Sequence, residues 1–100
     1  MLVINNKKSS FVRTNGHNLW INIVAQELLC NPDFADVEVD EMKKLIIIHK
    51  NNKSGTLKVT HVQDKQCKIS INFLLKRSVP IKDKTRFTVQ GGNGTMWFNF

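Results

Sequence analysis

The sequence predicts a mainly β protein with two short helices, barrel-like, in which two similar halves interlock as one domain. Three observations predict it. Apolar residues alternate with polar ones over short runs bounded by Asn-Gly and Gly-rich turns. Only two stretches carry helical spacing. The order of these signals in the first half recurs in the second.

Strands are expected at about 9–14, 18–21, 36–40, 44–50, 56–63, 67–70, 85–90 and 95–100. Val37 and Val39 alternate with Glu38 and Asp40, the pattern of a half-buried strand. Leu45-Ile46-Ile47-Ile48 is continuous and reads as a strand covered on both faces. Asn15-Gly16 and Gly91-Gly92-Asn93-Gly94 supply the positive φ angles of tight hairpins. No Lys-Ser/Thr follows the second run, so it reads as a turn and not as a phosphate-cradling loop.

Helices are expected at about 22–30 and 71–78. Ile21, Val24, Ala25 and Leu28 share one helical face, Asn22 can cap the start, and Pro32 stands beyond the end. Ile71, Leu74 and Leu75 repeat that spacing beside Asn72, and Pro80 follows. Sliding residues 11–50 onto 61–100 without a gap places Val12 on Val62, Leu19 on Ile69, Ile21 on Ile71 and Ile47 on Trp97. Twelve positions are apolar in both, above the roughly seven or eight that these compositions give by chance. A unit of about 45 residues cannot close its own core, so the two repeats, about 11–50 and 61–100 of a single domain 1–100, are expected to share one.

Charge is unevenly spread. Residues 1–50 hold six basic and six acidic groups, whereas residues 51–100 hold nine basic groups against Asp64 and Asp83, which accounts for the whole net charge of +7. A positive face able to attract an anionic partner follows. Lys65, Lys68, Lys76, Arg77, Lys82, Lys84 and Arg86 are the candidates, because long cations neutralise phosphates and release counterions. Lys82, Lys84 and Arg86 alternate and are expected to project together. Phe73, Phe87 and Phe98 match apolar positions of the first half and read as core. Trp20 and Trp97 face away from their strand neighbours, yet core filling is the expectation for both.

Other classes find little in the sequence. No apolar run reaches the roughly 18 residues of a membrane-spanning helix. Met1-Leu2-Val3-Ile4 reads as a structured start and not as a signal peptide, and two cysteines, Cys30 and Cys67, read as buried, reduced residues of a cytoplasmic protein. His17, His49 and His61 are scattered without metal-ligand spacing. The expectation is a binding protein and not an enzyme, with no cofactor, no metal and no membrane partner.

The order strand, turn, strand, short helix, loop, hairpin resembles one chain of the AbrB/SpoVT swapped-hairpin family. The resemblance runs through Val12-Arg13-Thr14-Asn15-Gly16, Trp20-Ile21-Asn22 into Ile23–Leu29, Asp36-Val37-Glu38-Val39-Asp40 and Lys44-Leu45-Ile46-Ile47-Ile48. It implies an intertwined, swapped-hairpin-type barrel, here with both halves on one chain as a monomeric pseudo-dimer, or else a dimer. It also implies DNA binding and transcription regulation, with Arg13 in the region of the family's DNA-contacting basic cluster. Asn22 and Asn72 stand where the family has proline, and Gln63 and Lys65 are the only counterparts of Arg13's region in the second half. The leading expectation is a small basic nucleic-acid-binding regulator of bacterial or phage origin, with DNA ahead of RNA. The alternative is a phage or mobile-element inhibitor or adaptor that binds a host nuclease complex, an acidic or nucleic-acid-bearing target, in the manner of an anti-CRISPR.

Overall fold

The computed structural model describes residues 9–51, 57–62 and 66–100. Among these residues ten strands and two short helices follow one another as β1 (Phe11–Asn15), β2 (Asn18–Ile21), α1 (Ile23–Leu28), β3 (Phe34–Asp40), β4 (Leu45–Asn51), β5 (Leu57–Lys58), β6 (Thr60–Val62), β7 (Gln66–Ser70), α2 (Asn72–Lys76), β8 (Arg86–Thr88), β9 (Gln90–Gly92) and β10 (Thr95–Asn99). They form two antiparallel five-stranded sheets, β6-β7-β2-β1-β8 and β5-β3-β4-β10-β9. The expected mainly β class with two short helices is therefore what the chain adopts. The expected closed barrel is not seen: among the described residues each sheet keeps two free edges.

The sheets enclose one core. Val12, Leu19, Ile21, Cys67 and Ile69 come from the first sheet, and Ala35, Ile46, Ile48, Met96 and Phe98 from the second. Phe87 on β8 meets Phe98 on β10 with ring centroids 5.1 Å apart, joining the sheets at one end. Ala25, Leu29, Ile71 and Leu74 carry the helices onto the same cluster. Because side chains alternate along a strand, burying Val12 and Thr14 sends Phe11, Arg13 and Asn15 to the opposite face.

Register ties the halves together. β2 pairs with β7 so that Leu19 faces Ile69, and β4 pairs with β10 so that Ile47 faces Trp97. Both pairs join residues fifty positions apart; Ile47–Trp97 is the third of five pairs in its ladder and Leu19–Ile69 the second of four. The overlay of Val12 on Val62 is not kept. Val12 is fully buried and faces Ile21, whereas Val62 is 37% exposed and faces Gln66.

Asn22 caps α1 as expected, its Oδ1 accepting from Ala25 N–H at 2.9 Å. The same oxygen accepts from Phe11 N–H, and the Asn22 amide donates to Ser9 C=O, so one side chain fastens β1 to the helix start. Asn72 does not repeat this, because α2 starts one residue earlier at an Ile71 cap with no side-chain bond. Leu45 and Ile47 are only half-buried, so β4 is fully covered on one face and not on two.

Candidate nucleic-acid interface

The outer face of the first sheet is built by the alternation that fills the core behind it. Arg86 on β8 pairs with Arg13 on β1, Arg13 with Trp20 on β2, and Trp20 with Lys68 on β7. These four side chains form one lateral row across four strands. Among the described residues no strand of this sheet contains an aspartate or glutamate. Two arginines placed directly opposite repel each other. Among the described residues the two ion pairs are His49–Glu38 and His61–Asp33, and neither relieves the row.

Aromatic rings hold the cations in place. The Arg86 guanidinium lies 4.1 Å from the centroid of the Phe11 ring, and Lys68 Nζ lies 5.2 Å from that of Trp20. A cation over a ring face is attracted by the quadrupole while its outward side stays free for an anion. Beside the row opens a cleft of about 390 Å³, whose lining includes Phe11, Arg13, Trp20, Asn22, Gln66 and Arg86.

The loop before β8 sets the position of Arg86. Buried Thr14 donates through Oγ1 to Lys82 C=O at 2.6 Å and accepts from Thr85 N–H at 3.0 Å. Asp83 Oδ1 accepts from Gly16 N–H and from Lys84 N–H, both at 2.8 Å. The Gly16 bond above all holds the Asp83 carboxyl below the usual carboxylate range. The Lys84 N–H and the charges of Lys84 and His17 act in the same direction, against partial desolvation. The loop is thus latched to the tip of the β1–β2 hairpin, where Gly16 adopts φ +62°.

Seven of the eight cations expected to bind are among the described residues, and they stand in three parts of the fold. Arg13, Lys68 and Arg86 share the row. Lys82 and Lys84 sit in the latched loop at the hairpin tip, before β8 begins. Lys76 ends α2 and Arg77 caps it; Arg77 lines a groove with Glu38, Asp40 and Glu41, next to carboxylates. Lys65 lies outside the described residues. The strand carboxylates lie on the other sheet, where β3 carries Asp36, Glu38 and Asp40.

Neither tryptophan fills the core: Trp20 is half-buried on the row, and Trp97 is 38% exposed on the outer face of the second sheet. Trp20 does face away from its strand neighbours as the sequence predicts, and Phe11, for which the sequence sets no expectation, shares the outer face by alternation with buried Val12. Cys30 is exposed, against expectation. Cys67 is buried and burial pushes its thiol up to about 12.

The chain matches no family model, no curated protein and no solved structure. Three cations interleaved with two aromatic rings on an acid-free sheet can neutralise phosphates and stack on flat groups. Among the described residues no group of His, Cys, Asp and Glu is placed to hold a metal ion, and no helix is long and apolar enough to cross a membrane.

Proposed function

We propose that this chain is a nucleic-acid-binding protein and not an enzyme, with its ligand on the outer face of the β6-β7-β2-β1-β8 sheet. The observation that carries the reading is the Arg86–Arg13–Trp20–Lys68 row. Like charges brought side by side with no carboxylate on any strand of the sheet are costly until an anion arrives, and phosphate is an anion that repeats. The test is fluorescence anisotropy with labelled DNA and RNA oligonucleotides. Arg13→Glu with Arg86→Glu abolishes binding while the thermal melt stays cooperative; unchanged affinity in that variant refutes the reading.

The architecture we propose beneath this surface is a pair of repeats joined as a single-chain pseudo-dimer of the AbrB/SpoVT swapped-hairpin kind. Its support is the register: a two-fold axis through the Leu19–Ile69 pair exchanges Asn18–Ser70 with Trp20–Lys68, and one through Ile47–Trp97 exchanges Ile46–Phe98 with Ile48–Met96. The first strand of the second repeat is offset. Asn18 faces Asn15, but Lys68, fifty positions on, faces Thr60, five residues before Lys65. Regulation of transcription is the role this kinship carries.

A second reading, a phage-type inhibitor or adaptor acting on a host nuclease complex, draws support from the opposite sheet. There Trp97 stands exposed beside Ile47 and Glu38 in one cross-strand row. Such exposed aromatics anchor protein interfaces. Trp97→Ala then removes capture of the protein partner and leaves oligonucleotide binding intact.

A further inference from the structure

We infer that the face selects single-stranded over double-stranded nucleic acid, and that the cleft beside Trp20 receives one unpaired base. The inference rests on the nucleic-acid reading above and deepens it.

Width decides against a duplex groove. The row crosses four strands, three steps of about 4.8 Å, so its cations spread over about 14 Å before side-chain thickness is added. A major groove about 12 Å wide admits a helix or a two-stranded ribbon, not a four-strand face. An outer sheet face can meet a duplex only along its phosphate ridge, which leaves Trp20 and Phe11 without a role. A single strand laid across the strands reaches Arg86, Arg13 and Lys68 in turn, with its bases free to turn toward the protein.

The cleft supplies the receptor for one such base. Its volume of about 390 Å³ lies at the small end of the roughly 300–1,000 Å³ of ligand sites. Its wall carries the Trp20 indole, the Arg86–Phe11 stack and the Gln66 amide. Lys68 covers the indole through a flexible four-carbon stem, so its ammonium can swing to a phosphate and leave the ring open for stacking. Arg86 is held closer to its ring and stays as the second stacking plane. The Asn22 amide is already committed to Ser9, Phe11 and Ala25, so Gln66 and Asn15 are the amide side chains on this wall left to read a base edge.

The experiment uses the full chain with Trp97→Phe as background, so that Trp20 is its one indole. A labelled twelve-residue thymidine single strand and a hairpin duplex of matching length are titrated by anisotropy, with Trp20 emission followed in parallel. The single strand is expected to bind at least tenfold tighter and to quench Trp20. Trp20→Ala is expected to weaken single-strand binding roughly 5- to 150-fold, the range for loss of one base–aromatic stack, with duplex binding changed less than twofold. Trp20→Phe, which keeps a ring, retains most of the affinity and guards against a folding artefact. Equal or tighter duplex binding that still needs Arg13 and Arg86 overturns the single-strand inference and leaves the nucleic-acid reading standing. Absence of binding to either probe overturns both.

Discussion

Replacing Arg86 with glutamine removes one of three aligned cations and keeps a side chain of similar length over Phe11. Its consequence can be worked from the row. If Arg13, Lys68 and Arg86 each neutralise one phosphate of a single strand, log affinity falls with log salt with a slope of about −0.7 × 3, or roughly −2.1. Between 50 and 200 mM salt the wild-type affinity then falls about 18-fold. Arg86→Gln leaves two contacts, a slope of roughly −1.4 and a fall of about sevenfold over the same range. Anisotropy titrations of a labelled single strand at four salt concentrations measure both slopes. Arg77→Gln is the matched control, because Arg77 is also exposed but lines a groove with Glu38, Asp40 and Glu41. It removes the same net charge and leaves the slope near −2.1. Equal changes in slope for the two variants refute the reasoning, since the effect then follows total charge and not the row. Both variants are surface changes with expected stability effects within about 0.5 kcal/mol.

Three further predictions concern the scaffold. Asn22→Ala loses the α1 cap and strands the Phe11 N–H, and is expected to cost about 1–3 kcal/mol by denaturant melts; a loss under about 0.3 kcal/mol contradicts the clasp. Asp83→Asn tests the loop latch through pH. The folded carboxyl is held below its unfolded value, so its stabilisation is present above the ordinary carboxylate range and disappears as pH falls through the folded value. The variant is expected to melt lower than wild type at neutral pH and to converge with it in acid; parallel curves across pH exclude the latch. Among the two thiols, Cys30 is expected to react with an aromatic disulfide reagent in the native state and Cys67 only as fast as the protein opens. Two fast thiols would show that Cys67 is not shielded as its burial and raised pKa require.

Legibility of the sequence followed the range of the interactions involved. Val12, Leu19, Ile21 and Ile69 announce buried faces by period-two alternation, and Asn22 announces a cap, because both are local rules. The break that separates β5 from β6 and the longer β6–β7 connection, which undo the gapless overlay of Val12 on Val62, are set by tertiary pairing and leave no periodic trace. The cations show the same division. Arg13, Lys68 and Arg86 lie far apart in sequence and meet only through the registers of three strand pairs, so counting basic residues by half could not select them. Trp20 was legible as outward-facing from its neighbours. What sequence could not supply was the lysine and arginine standing on either side.

The proposed two-fold makes the asymmetry of the row informative. Around the Leu19–Ile69 pair, Trp20 exchanges with Ser70 and Lys68 with Asn18, so one side of the axis carries the indole and its counterpart carries a small hydroxyl. On the β1 side the row continues to Arg13 and Arg86; on the β7 side it runs out to Thr60 on an exposed edge strand. A palindromic duplex presents equal phosphates on both sides of its dyad, and a symmetric protein meets it with equal cations. In the proposed pseudo-dimer the cations and rings therefore stand on one flank of the axis. Such a flank suits a ligand with a direction, as a single strand has from 5′ to 3′. One chain should then bind one strand in a single polarity. A fluorophore at the 5′ end and one at the 3′ end of the same oligonucleotide are expected to report different energy transfer to a label on Cys30. Equal transfer from both ends would mean that the row reads no direction, and the argument from asymmetry would fail.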